Sequence, residues 1–144
     1  MSRESPEQRR IQATVAWRAG HRTEPADIAD AVVATWQDIT VALTPIIGSG
    51  GIAALYQRSL YLTSPAHPWL ADQHKGVAAV MNLAALKTAI AAQGRESAGA
   101  AGVALLQTFH ELLTTLVGPS LTERLLRSVW ENPSSGAPAQ DTSA

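Results

Sequence analysis

An all-α fold is what this sequence predicts, on three observations. Leu105, Leu106, Phe109, Leu112, Leu113, Leu116 and Val117 recur at helical spacing, so a single stripe of one helix carries them all. No stretch of strict apolar–polar alternation, the mark of a half-buried strand, matches it in length. Glycine and proline interrupt the chain at intervals of helical length, at Gly20, Pro45, Gly48, Gly94 and Gly118. The 144 residues suit one domain with a sizeable core. The expected architecture is a single antiparallel bundle of four main helices plus a short C-terminal helix, with flexible termini.

The elements follow in order. Ser5-Pro6-Glu7 reads as a helix start, with a capping hydroxyl, a proline at the first position and an acid near the positive end. A short helix to Ala19 is either a docked element or a frayed arm, because Ile11, Val15 and Trp17 are its only large apolar residues. Residues 1–22 are therefore expected to be a partly disordered arm and 23–131 the bundle domain. The second start is Thr23-Glu24-Pro25. A helix over 26–46 places Ile28, Val32, Trp36, Ile39 and Leu43 on one face and turns Asp27, Asp30 and Asp38 away from it. Pro45 and Gly48-Ser49-Gly50-Gly51 end it in a helix–helix turn; these glycines lack the lysine of a phosphate loop. The next helix, 52–63, is apolar almost all round, which implies a central position or a subunit interface. Pro65 and Pro68 keep the following loop extended. Helices over 77–92 and 97–117 come next. Ser120 and Glu123 form a capping-box pattern for a last helix over 120–131. Residues 132–144 lack apolar periodicity and read as a disordered tail.

Composition excludes several functions. The chain has no cysteine, so disulfides, thiolate catalysis and cysteine-based metal sites are out. The formal net charge is −1 and no basic stripe stands out, which argues against nucleic acid as a partner. Residues 1–10 are polar and do not read as a signal peptide. No uninterrupted apolar run reaches about 18 residues, so no membrane span is expected. A cytoplasmic protein without a cofactor is the expectation. The aromatic share is 5%, which marks Trp17, Trp36, Trp69 and Trp130 as anchors.

Six residues are candidates for function. None of His21, His67, His74 and His110 pairs at metal-ligand spacing on a helix, so no metal site is expected, although His67, Asp72 and His74 lie close in one loop. Arg58 lies on the almost wholly apolar helix, and a guanidinium there needs acceptors. It either holds an anionic ligand or partner carboxylate, or bonds carbonyls at a helix end or snorkels to solvent. Tyr61, His67 and Trp69 could complete a ligand site beside it, although the favoured reading of Trp69 is a lid on the core. His110 lies about 100° round from the centre of the stripe, at its edge, and Glu111 faces solvent.

The segment His110-Glu111-Leu112-Leu113-Thr114-Thr115-Leu116 is similar to the phosphoacceptor segment of sensor histidine kinases. His110, Glu111, Leu112, Thr114 and Leu116 match that pattern; Leu113 stands in place of its basic residue and Thr115 in place of its proline. The resemblance implies that His110 is the phosphoacceptor and Glu111 the proton acceptor. The 144 residues leave no stretch for a kinase nucleotide-binding domain. From about Trp36 to Trp130 the chain also resembles small proteobacterial proteins without an assigned reaction. The resemblance rests on Ile47-Gly48 with Gly51, Ala54-Leu55-Tyr56, Arg58-Ser59-Leu60, Pro68-Trp69-Leu70, Glu111-Leu112-Leu113 and Leu121-Thr122-Glu123-Arg124-Leu125-Leu126. It implies an accessory role at a signalling locus, with a sensor kinase or regulator as protein partner. The expected function is a non-enzymatic helical interaction module, able to form a homodimer. The alternatives are phosphotransfer through His110 and small-ligand binding near Arg58 and Trp69.

Overall fold

The structure, a computed structural model, describes residues 6–71 and 81–136. Among them the secondary structure is all helical: α1 (Pro6–Arg18), α2 (Pro25–Thr63), a 3-10 turn (Pro68–Leu70), α3 (Leu83–Ala91), α4 (Arg95–Val117) and α5 (Pro119–Gly136).

Two glycines fold this string of helices into a bundle. A straight α2 would hold Trp36 and Tyr56 about 30 Å apart, yet their ring centroids are 5.1 Å apart. The helix doubles back at Gly48, whose φ of 79° and ψ of 162° only glycine adopts without strain. Ser49, Gly50 and Gly51 are already helical. The expected turn is thus narrower than the glycine cluster, and the two arms, 25–47 and 49–63, are longer than the sequence indicated. Gly118 repeats the device with φ 92° and ψ 156°. It brings the His110 and Trp130 rings within 6.3 Å across the α4–α5 reversal.

The core lies between α2 and α4, the pair with the most extensive packing. Trp36 sits at its centre, edge-on to Tyr56 at 5.1 Å and to Phe109 at 4.9 Å. Gly102 lets the helices close: a Cβ there would come within 2.6 Å of a Val32 methyl. Val32 against Gly102, then Trp36 against Phe109, runs forward on both helices, so the 25–47 arm and α4 point the same way. By length and mean hydropathy both α2 and α4 could cross a bilayer, contrary to the expectation that no segment would. Here Ile39, Leu43, Leu105 and Leu106 lie in one buried core cluster, although only 28% and 33% of the two most apolar stretches is buried.

Several expectations need correction. The N-terminal segment from Pro6 is a docked helix rather than a frayed arm, with Ile11, Thr14 and Val15 buried. The Thr14 hydroxyl donates to the Trp130 carbonyl at 3.1 Å, and Arg18 donates to Asp38 at 2.6 Å and to the Val129 carbonyl at 3.3 Å. The aspartates turned away from the core are therefore tethers: Asp38 holds α1, Asp30 holds Lys87 of α3 at 2.8 Å, and Asp27 meets Arg22 at 3.6 Å. Trp17 is no anchor; it is 41% exposed. Leu116, the last leucine of the opening stripe, is exposed, while Val117 next to it packs against the core. The helix expected over 77–92 begins at Leu83, capped by the Asn82 side chain, which accepts from the Ala85 amide; residues 72–80 lie outside the described residues. The last helix starts at Pro119, so Ser120 is not its cap, and it runs on to Gly136. The rest of the expected tail, 137–144, lies outside the described residues.

Candidate functional site

Arg58 is exposed, contrary to the burial that an apolar helix implied. The 49–63 arm buries Ile52, Ala53, Tyr56, Ser59 and Leu60, and leaves Ala54, Arg58, Tyr61 and Leu62 on its outer side. The Arg58 guanidinium lies over the Tyr61 ring at 5.4 Å, a contact of modest strength at an exposed site. His67 precedes the 3-10 turn, and Trp69 within it packs partly buried against the core, as a lid does. Arg58 and Tyr61 are thus brought together.

His110 is half-buried between α1, α4 and α5. Burial holds its imidazole below the usual histidine range; the carboxylates of Glu7, Glu111 and Glu123 pull it up and Arg10 pushes it down. Glu111 is exposed and accepts from Gln107 Nε2 at 2.9 Å. A cleft of about 370 Å³ opens here, lined by Glu7, Gln107, His110, Glu111, Thr114 and Thr115. Its electrostatics are acidic. Arg10 is engaged with Glu123, donating at 3.1 and 3.5 Å to its two oxygens. A phosphoryl donor, itself an anion, would meet carboxylates here. Among the described residues no group of three or more His, Asp or Glu converges as a metal site.

A second cleft, of about 390 Å³, was not foreseen from the sequence. Three segments build it. α1 and the residue that follows it contribute Gln8, Gln12, Val15, Ala16 and Ala19, which share one face at helical spacing. The α1–α2 turn and the start of α2 supply Arg22, Thr23 and Ile28. From α4 come Gly99, Ala100, Val103 and Ala104. The cleft exists because α4 is bare here: a Cβ on Gly99 would meet nothing within 4 Å. Its floor is apolar, formed by Val15, Ala19, Ile28 and Val103, which are buried but keep 5 to 8% of their surface. A smaller hollow of about 230 Å³ lies among Asp38, Val41, Ala42, Ser128 and Val129. None of these three is lined by Arg58, Tyr61, His67 or Trp69.

Sequence reasoning missed the apolar cleft because its walls lie far apart in the chain. The one signal was the run Ala98-Gly99-Ala100-Ala101-Gly102, which leaves a helix face too small to fill a groove. No protein family, no curated protein and no solved structure matches this chain.

Proposed function

We propose that this protein is a non-enzymatic helical interaction module that takes an apolar-bodied partner or ligand into the cleft between α1, the start of α2 and α4. The observation that carries the reading is the cleft itself: about 390 Å³, floored by aliphatic side chains and rimmed by Gln8, Gln12, Arg22 and Thr23. Volume and lining match the usual form of a ligand pocket, a largely apolar concavity with a few polar groups at its edge. A cytoplasmic setting, a role beside a sensor kinase or regulator, and a homodimer built on the exposed Tyr61 and Leu62 belong to the same proposal. The role beside a sensor kinase or regulator rests on the resemblance alone.

Phosphotransfer through His110 is the weaker reading. The imidazole is half-buried against Trp130 and ringed by Glu7, Glu111 and Glu123. In-line approach of a phosphoryl group needs open access and positive charge.

The test of the cleft is a neutral fluorescent probe, N-phenylnaphthylamine, titrated into the folded protein. Saturable enhancement is expected. Ala16→Leu with Ala100→Leu should abolish it, since both positions are exposed, helical and line the cleft, and leucine is nearly as good a helix former as alanine. Equal enhancement in the filled variant would refute the reading.

A further inference from the structure

The cleft runs along α1 and is charged at one end. Along α1 its lining runs from Gln8 to Ala19, about 16 Å at the rise of an α-helix. Its apolar surface comes from Val15, Ala16, Ala19, Ile28 and Val103, a trough long enough to take an extended chain. Among the described residues no acidic side chain lines it, and Arg22 is its sole charged residue. Arg22 stands at the α1–α2 end, beside Thr23. Its side chain is 72% exposed, and its carboxylate partner Asp27 is 3.6 Å away, well beyond the distance of a charge-assisted hydrogen bond. A guanidinium has five N–H donors in a planar fork, so most are left for an incoming oxyanion. The Thr23 hydroxyl adds a further donor.

From this placement we infer that the cleft binds a single-chain amphiphile with a carboxylate head: a free, medium-chain fatty carboxylate, its tail along the α1–α4 trough and its head on Arg22 and Thr23. The inference rests on the cleft being the binding site and adds the class of ligand. The Arg22 fork is matched in shape to a carboxylate, and the tail supplies the affinity by leaving water for the aliphatic floor.

Calorimetric titration of the full chain with decanoate, below its micellar range, tests this. Decanoate is expected to bind saturably at one site, about tenfold more tightly than methyl decanoate, the difference being the loss of a charged hydrogen-bonding head. Arg22→Gln should abolish that preference while leaving the methyl ester unchanged; an exposed side chain can be replaced without unfolding the bundle. Ala16→Leu with Ala100→Leu should weaken both ligands at least about tenfold, with helical circular dichroism and Tm as in the parent. Phosphatidylglycerol vesicles, which offer chains with a different head, should not bind. Equal affinity for ester and acid would overturn the carboxylate inference and leave the cleft standing. Binding to vesicles but not to free decanoate would overturn it too. Failure of both decanoate compounds while N-phenylnaphthylamine still enters the cleft would overturn the chain-shaped ligand alone; failure of all three would remove the cleft reading as well.

Discussion

Phe109 joins α4 to α2: it lies fully buried, edge-on to Trp36, which in turn meets Tyr56 on the returning arm of α2. Phe109→Ala should cost about 3–5 kcal/mol, the loss of a large side chain plus the cavity left behind, read as a drop in the denaturant midpoint. Arg58→Ala should change stability by no more than about 0.5 kcal/mol, as exposed substitutions do. A loss several times larger would mean that Arg58 has a buried acceptor. His110 carries a pH dependence whose sign follows from its lowered imidazole. The unfolded chain takes up a proton first, near the ordinary value of about 6.5, while the folded protein resists until lower pH. The stability this contributes is therefore complete above about pH 6.5 and is lost as pH falls from there towards the folded value. His110→Gln should flatten that part of the stability profile; an unchanged slope would contradict the assignment. Burial of Phe109 was legible in the sequence because helical phase alone marks the centre of a stripe. Exposure of Arg58 was not: that argument treated its helix as wrapped on all sides, whereas Ala54, Arg58, Tyr61 and Leu62 face outwards together.

Helices were easier to read than the joints between them. Apolar spacing located all the long helices, and glycine marked both reversals, but only the backbone at Gly48 and Gly118 shows that a single residue suffices for each. Gly48→Ala should destabilise by about 1–3 kcal/mol, the cost of holding a side chain in that backbone region, even though a Cβ would meet nothing nearby. α4 offers a sharper contrast. At Gly99 a Cβ finds open space, so Gly99→Ala should raise stability by about 0.5–1 kcal/mol through helix propensity. At Gly102 a Cβ would press on a Val32 methyl, and a β-branched side chain cannot swing aside freely. Gly102→Ala should therefore cost about 1–3 kcal/mol, and adding Val32→Ala should show favourable coupling in a double-mutant cycle. Thermal unfolding of the four variants decides this; a stabilised Gly102→Ala would contradict the close packing of α2 on α4. α1 was undecided from sequence because its apolar content is thin. Ile11 and Val15 do enter the core, and long-range polar bonding from Arg10, Thr14 and Arg18 to α2 and α5 adds to their docking, which local periodicity cannot register.

On the scale of the molecule, the bundle architecture follows from amphipathic helices, but the cleft follows from how three of them fail to close. α1 crosses in front of the bare part of α4, and the small residues there leave a trough that larger side chains would have filled. No window of sequence contains that arrangement, so the sequence pointed instead to Arg58 and Trp69, on a loop-proximal part of the chain that lines none of the clefts described. Amide chemical-shift mapping of the labelled protein with N-phenylnaphthylamine tests the central claim most directly. The account predicts perturbations gathered on α1 from Gln8 to Ala19, on Arg22, Thr23 and Ile28, and on α4 from Gly99 to Ala104. Perturbations centred on Arg58, Tyr61, His67 and Trp69, or none at saturating probe, would contradict it.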